Sequence, residues 1–150
     1  MKAFLFAVAG LGLGCGGQTK HVADEGDTGG GAVTCNGGPE VDHDEYRSTQ
    51  NGSVAVPIEA NVVPDPTEGC EHITLIGVWL HYKNADRVDY MSIEMDSIGG
   101  SQYITSIPAP DITSSKIHYY FQAVAPKQET IEPSGADENP QKAYSFDVQF

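Results

Sequence analysis

The amino-acid sequence predicts an all-β domain, a single antiparallel sandwich of two sheets with about seven strands. Short runs of alternating apolar and polar residues recur across residues 41–150, and clusters of Gly, Pro, Asn and Asp separate them. No stretch sustains apolar residues at the spacing of a helix face. A chain of 150 residues also has room for one core of ordinary size rather than two.

The predicted strands follow one another at short intervals. In chain order they are residues 41–48, 53–63, 73–83, 87–95, 102–107, 116–125 and 143–150. Pro57 indicates that the second strand has an edge position or a bulge, because proline cannot donate a backbone hydrogen bond. The third strand is apolar on both alternations, which predicts a central position in its sheet. The connection between the last two strands carries Pro126, Pro133 and Pro140 and is predicted to be an irregular surface loop.

The last two strands show the alternation of core side chains most clearly. The residues predicted to face inward are Ile117, Tyr119, Phe121, Ala123, Tyr144, Phe146, Val148 and Phe150. Polar residues stand between most of them, so one face of each strand is predicted to pack in the core.

The charge of the chain is strongly negative. Eight Lys+Arg stand against 21 Asp+Glu, which gives a formal net charge of −13. This charge repels phosphates and anionic head groups, so nucleic acid and unaided membrane-surface binding are disfavoured. The acidic excess is also a common means of keeping a protein soluble.

The first residues have the composition of a signal peptide. Lys2 precedes an apolar run over residues 4–13, which is about half the length that spans a bilayer.

The sequence LGLGC at residues 11–15 resembles the lipobox of bacterial lipoproteins, although that family prefers Leu where this chain has Gly12. The resemblance implies cleavage after residue 14 and a diacylglycerol on Cys15, and hence a lipid anchor in the membrane of the cell envelope. Gly16 replaces the aspartate that marks inner-membrane retention in some bacteria, which favours the outer membrane. The alternative is an ordinary secretory signal, which would make the protein secreted.

Residues 15–40 are predicted to be a flexible tether between this anchor and the domain at residues 41–150. Glycines and polar residues dominate the segment, so it lacks the apolar side chains of a core. A flexible coil of this length has a mean reach of about 25–30 Å.

The chain has three cysteines: Cys15 in the lipobox-like sequence, and Cys35 and Cys70 after it. With Cys15 lipidated, Cys35 and Cys70 remain as a pair in an oxidising compartment, and a disulfide between them is predicted. Closing this loop of 35 residues would stabilise the fold by about 3–4 kcal/mol. A metal site is the rival interpretation, although no Cys-x-x-Cys spacing or paired histidines support it.

Three sequences along the domain resemble the strands of immunoglobulin-like or fibronectin-III-like sandwich modules of bacterial extracellular proteins. They are VWLHYK at 78–83, YITSIP at 103–108 and KIHYYFQA at 116–123. The resemblance implies that the third and sixth strands are neighbours. Cys35 departs from the antibody pattern because it precedes the first strand. Trp79 is either a core residue or an outward-facing one.

If those two strands are neighbours, five side chains share one outer face. They are Trp79, His81, His118, Tyr120 and Gln122. One interpretation is a binding face for a carbohydrate, through ring stacking, or for an envelope protein. The other is a face covered by a loop, or a set of ordinary exposed residues.

Acidic residues precede the third strand and follow the sixth, in loops that emerge at the same end of an immunoglobulin topology. The four candidate ligands for a calcium ion are Asp65, Glu68, Asp137 and Glu138. No regular Asp-x-Asp-x-Asp-Gly loop is present, and solvated acidic loops are the alternative.

The sequence carries no signature of catalysis: a nucleophile elbow, a zinc-protease helix motif and a dinucleotide fingerprint are all missing. The chain is therefore expected not to be an enzyme. The leading expectation is a noncatalytic lipoprotein of the cell envelope, whose sandwich recognises a protein or glycan or acts as a spacer. The alternative is a secreted module that binds calcium or assists an enzyme.

Overall fold

The computed structural model describes residues 33–150. The predicted signal peptide, Cys15 and the tether up to residue 32 lie outside the described residues. Within residues 33–150, no helix has the length and apolar character needed to cross a membrane.

The described residues form an all-β domain of two packed sheets. Its strands are β1 (Glu40–Asp42), β2 (Gln50–Asn51), β3 (Val56–Val63), β4 (Gly77–Asn84), β5 (Met91–Glu94), β6 (Asp96–Gly99), β7 (Gln102–Ile107), β8 (Lys116–Val124), β9 (Glu129–Glu132) and β10 (Tyr144–Gln149), with a short 3-10 helix at Ala109–Asp111. The smaller sheet has the order β1-β3-β7-β6, and the larger has the order β2-β10-β8-β4-β5. Strand β9 pairs with the second half of β8, next to β10. The predicted all-β, two-sheet architecture is confirmed.

The core lies between the two sheets and follows the alternation of the sequence. Its main side chains are Val56, Ile58, Ala60 and Val62 on β3, Val78, Leu80 and Tyr82 on β4, Ile117, Tyr119, Phe121 and Ala123 on β8, and Phe146 and Val148 on β10. The predicted inward face of the sixth strand is therefore confirmed. Phe150 differs from the prediction, because it follows the end of β10 and is 69% exposed.

The strand pattern departs from the prediction in four places. The domain has ten strands where about seven were expected. The first predicted strand pairs only over Glu40–Asp42, and the chain forms a separate strand at Gln50–Asn51 that is parallel to β10, so the sandwich is not wholly antiparallel. The fourth divides at Met95, where the chain passes from β5 in the larger sheet to β6 in the smaller one. Strand β9 lies inside the connection that was expected to be irregular.

Pro57 lies where its strand has no neighbour on one side. Strand β1 pairs with β3 only at residues 61–63, while β7 pairs along the other side of β3 from Val56 to Asn61. The carbonyl of Pro57 accepts a hydrogen bond from the Tyr46 hydroxyl instead of from a strand. The edge position predicted from this proline holds locally, although β3 as a whole lies inside its sheet.

The end of β4 is held by the side chain of Asn84. This residue is fully buried, its amide donates to the Asp111 carbonyl at 2.8 Å, and its Oδ1 accepts from the N–H groups of Thr113 at 2.8 Å and Ser114 at 3.0 Å. A buried amide with all of these partners fixes the loop before β8 against β4. The two strands that carry the predicted binding face are thereby locked at one end.

Candidate functional site

The outer face of β4 and β8 carries the side chains of the predicted binding face. The antiparallel register sets three pairs of residues opposite one another: Trp79 with Gln122, His81 with Tyr120, and Lys83 with His118. The residues between them, such as Leu80 and Phe121, point into the core and are fully buried. The structure therefore brings the five predicted residues onto one surface and adds Lys83 to them. That this surface binds a ligand stays a prediction.

Trp79 belongs to the outer face and not to the core. Its indole occupies the space above Gly77, where an added Cβ atom would stand 2.4 Å from the ring carbon Cη2. Only glycine leaves room for the ring in this position. The side chain is partly exposed, so an aromatic surface remains accessible at this end of the face.

His81 is held through both of its ring nitrogens. Its Nδ1 lies 2.7 Å from the Ser92 hydroxyl, and its Nε2 lies 3.0 Å from Oε1 of Gln122. Because an amide oxygen only accepts, Nε2 carries the proton and Nδ1 accepts from Ser92. The amide of Gln122 in turn donates to Glu129 at 3.3 Å. This chain of hydrogen bonds crosses four strands, from β5 to β9.

The environment of His81 favours its neutral form. Burial lowers the pKa of His81, while the hydrogen bond to Gln122 and the charge of Asp137 act in the opposite direction. The ring stacks on Tyr120, with centroids 4.6 Å apart and planes 9° from parallel. An imidazole fixed in this way is positioned by its neighbours and has little freedom to reorient.

Tyr90 covers the centre of the face. Its ring packs edge-on against Tyr120, with centroids 4.9 Å apart and planes at 72°. Tyr120 also carries the stacked ring of His81, and it is only 7% exposed although it points away from the core between the sheets. Tyr90, which precedes β5, lies against the central part of the face, whereas the end at Trp79 and Gln122 is partly exposed.

Lys83 is buried next to the same tyrosine, with its ammonium over the ring. It is 7% exposed, and its ammonium contacts the carbonyl of Val88 at 3.4 Å and the ring of Tyr90 at 4.8 Å from the centroid. Within residues 33–150, the only ion pair joins Lys116 and Asp147. Lys83 is therefore a buried cation without a carboxylate partner among the described residues.

Two further polar atoms on this face are buried without a partner among the described residues. They are the hydroxyl of Tyr90 and Nδ1 of His118. Burial lowers the pKa of His118, and the nearby charges of Lys83 and Lys116 lower it further. A buried polar atom without a hydrogen bond is uncommon and needs an explanation.

The four acidic residues proposed as calcium ligands are not brought together. Asp65 is buried and uses both carboxylate oxygens on backbone N–H groups, of Gly37 and of Thr67, each at 3.0 Å. Asp137 lies near enough to His81 and Tyr120 for its charge to act on both. In the part of the chain that the structure describes, the one group of three potential ligands is Asp65 with Cys35 and Cys70.

Those two cysteines form the predicted disulfide. Cys35 and Cys70 are joined across 35 positions, with their Cα atoms 5.6 Å apart. The bond ties the segment before β1 to the loop between β3 and β4. Asp65 holds the same segment through the N–H of Gly37, and a Cβ at position 37 would clash with that carboxylate at 2.4 Å. The segment is therefore fixed at two neighbouring points.

His43 has a position that the sequence did not indicate. Its Nδ1 donates to the carbonyl of Glu59 at 2.6 Å, and its Nε2 accepts from the hydroxyl of Tyr119 at 2.8 Å. The ring packs among aromatic side chains, those of Tyr46, Tyr119, Phe121 and Tyr144. The only signal in the sequence was a histidine between two acidic residues within the first predicted strand, and nothing there identified its partners.

A cleft lies beside His43 on the smaller sheet. It has a volume of about 250 Å³ and is lined by polar and aromatic side chains, among them Asp42, Asp44, Tyr46, Glu59, Asn61 and Gln102. In the described residues its carboxylates do not form a group of three close enough to share a metal ion. The cleft is thus a polar surface feature that the sequence did not predict.

Comparison of the chain with protein-family models and with curated proteins gave no match.

Proposed function

We propose that this chain is a noncatalytic lipoprotein of the bacterial cell envelope, whose immunoglobulin-like sandwich recognises a protein or a glycan through the outer face of β4 and β8. The observation that carries the proposal is the arrangement of Trp79 above Gly77, beside Gln122 and the fixed ring of His81. A partly exposed indole on a rigid strand offers a stacking surface, and hydrogen-bonding groups beside it give a ligand orientation. The rigidity limits the entropy lost on binding.

The anchor is proposed from the sequence at residues 11–15. The lipobox-like pattern ends at Cys15, and the Gly-rich segment that follows would hold the domain away from the membrane. The disulfide between Cys35 and Cys70 agrees with an oxidising compartment. Gly16 after the cysteine supports the outer membrane as the location.

Recognition is tested by exposing the purified domain to a glycan array and to envelope extracts. We expect a double variant, Trp79→Ala with His81→Ala, to lose the partners that the wild type binds. The matched control is Asn61→Ala with Gln102→Ala, which removes two polar side chains from the outer face of the smaller sheet. If the Trp79/His81 variant keeps the full set of partners, the outer face of β4 and β8 is not the recognition surface.

The anchor is tested by mass spectrometry of the mature N-terminus. A chain that begins at Cys15 and carries acyl groups supports the proposal, and Cys15→Ser is expected to release the protein from the membrane fraction. An unmodified Cys15 in the mature protein would show that the protein is secreted without a lipid.

A further inference from the structure

We propose that Tyr90 plugs a binding site for a ring that bears a carboxylate, such as an acidic sugar, on the outer face of β4 and β8. The ligand binds by taking the place of Tyr90. The proposal rests on the proposed recognition function, since it names the ligand class of the same face. Three observations support the proposal: the burial of the Lys83 ammonium without a carboxylate partner, the buried polar atoms nearby that lack hydrogen bonds, and the shape of the space that Tyr90 fills.

The first observation concerns charge. Lys83 is 7% exposed and has only a carbonyl at 3.4 Å and the ring of Tyr90 at 4.8 Å as partners for its ammonium. The chain contains 21 acidic residues, yet within residues 33–150 none lies within ion-pair distance of this cation. Burying an ammonium without a carboxylate partner destabilises the folded protein, unless an anion from outside the chain pairs with it.

The second observation concerns hydrogen bonds. The hydroxyl of Tyr90 and Nδ1 of His118 are buried without partners among the described residues, and His118 stands directly opposite Lys83. Moving Tyr90 outward gives its hydroxyl access to water. The same movement uncovers Lys83, and an incoming carboxylate, which accepts several hydrogen bonds, would accept one from Lys83 and another from His118 opposite it.

The third observation concerns shape. The six-membered ring of Tyr90 stands at 72° to the ring of Tyr120, and the ammonium of Lys83 lies over the Tyr90 ring. A ligand ring of similar size fits the same space, and its carboxylate would pair with Lys83 better than the π-face of a tyrosine does. Tyr90 thus shows which ligand shape the site accepts.

The segment that carries Tyr90 can move without opening the core. Residues 86–89 are exposed, and Val88 among them is 86% exposed. Tyr90 itself packs on the outer face and not between the sheets. Displacing it uncovers Lys83 and Tyr120 but leaves the core side chains of β4 and β8, such as Leu80 and Phe121, in place.

The charge of the whole chain selects among anions. A net charge of −13 repels anions at long range, and the repulsion is stronger for a doubly charged phosphate than for a carboxylate. A ring with a single carboxylate satisfies Lys83 with the smaller electrostatic cost. Neutral sugars lack the group that Lys83 requires.

The test is a titration of the disulfide-bonded domain with sodium glucuronate, followed by NMR signals of the Lys83 and His118 side chains. Acetate and glucose, titrated separately, supply the carboxylate and the ring alone. Tyr90→Ala removes the plug, whereas Tyr90→Phe keeps the ring and removes only the unpaired hydroxyl. Lys83→Met removes the cation, and Lys127→Met is the control, because Lys127 is exposed and follows the end of β8 that is farther from His118.

We expect Tyr90→Ala to bind glucuronate about ten-fold more tightly than the wild type, because the ligand no longer competes with the plug. Tyr90→Phe is expected to melt at a higher temperature than the wild type and to bind no more tightly. Adding Lys83→Met to Tyr90→Ala should weaken binding by about ten-fold or more, and adding Lys127→Met should leave it unchanged.

The proposal is wrong if Tyr90→Ala, shown to be folded by its circular dichroism, does not bind glucuronate, or if Lys83→Met leaves the affinity unchanged. If acetate binds as tightly as glucuronate, the site does not recognise a ring, and that part of the proposal is wrong. Its failure is separable from that of the proposed function. If binding of the envelope partners still requires Trp79 while Tyr90→Ala does not bind glucuronate, only the proposed site under Tyr90 is refuted.

Discussion

The hydroxyl of Tyr119 donates a hydrogen bond of 2.8 Å to Nε2 of His43, and this contact joins the two sheets of the domain. Tyr119 lies on β8 in the larger sheet, and the other nitrogen of His43 donates to Glu59 on β3 in the smaller one. Without His43, the hydroxyl of the fully buried Tyr119 would lose this partner. The imidazole therefore replaces a strand at the part of β3 that β1 does not reach.

We expect His43→Ala to destabilise the domain by about 1–3 kcal/mol, because Tyr119 and the Glu59 carbonyl lose their partner in a partly buried site. Urea unfolding measures the change. The control is His72→Ala, since His72 is exposed and its removal should cost less than about 0.5 kcal/mol. Equal effects of the two substitutions would show that His43 does not bridge the sheets.

Stability is expected to fall when the solution is acidified below neutrality. Burial is the largest cause that lowers the pKa of His43, His81 and His118 below the ordinary value of 6.5. Each is therefore protonated more readily in the unfolded chain than in the folded one. Their contribution is fully present above pH 6.5 and is lost as the pH falls below it.

The measurement is the melting temperature between pH 8 and pH 5 in buffers of constant ionic strength. His81→Gln retains a side chain that hydrogen-bonds but does not titrate, so it should reduce the slope below pH 6.5. A melting temperature that stays constant across this range would contradict the expected linkage.

The alternation of the sequence was enough to predict the inward faces of the long strands. Ile117, Tyr119 and Phe121 are buried as expected, because a period of two is a local property of a strand. The outer face could be predicted for the same reason, once β4 and β8 were taken as neighbours. The disulfide between Cys35 and Cys70 followed from cysteine counting and not from geometry.

The contacts that decide the character of the site are non-local, and periodicity does not encode them. The partner of His43 lies 76 positions away along the chain. Residues 87–90 were predicted to begin the fourth strand, but β5 begins at Met91, so Tyr90 lies in the preceding loop, where alternation does not set the direction of its side chain. Two residues at Gln50–Asn51 are too few to show any pattern, so their parallel pairing with β10 could not be predicted.

Replacing both Cys35 and Cys70 by serine is expected to lower the free energy of unfolding by about 3–4 kcal/mol, because the unfolded chain regains the freedom of a 35-residue loop. Urea unfolding with and without a reductant measures the effect. The reductant should destabilise the wild type and leave the double variant unchanged. If the double variant is as stable as the oxidised wild type, Asp65 and its contact with Gly37 suffice to hold the segment.

The contact between Gly77 and Trp79 can be measured with a double-mutant cycle. Gly77 has no positive φ angle, so alanine fits the backbone there, but its Cβ would stand 2.4 Å from the indole. We expect Gly77→Ala alone to cost about 1–3 kcal/mol, through displacement of the ring. In a Trp79→Ala background the same substitution should be neutral or stabilising by about 0.5–1 kcal/mol, because alanine restricts the unfolded chain more than glycine does.

The fluorescence of Trp79, the single tryptophan of the chain, provides a second measurement. Its emission should shift to longer wavelength in Gly77→Ala as the ring becomes hydrated. Additive energies and an unshifted spectrum would together show that the indole does not depend on Gly77 for its position.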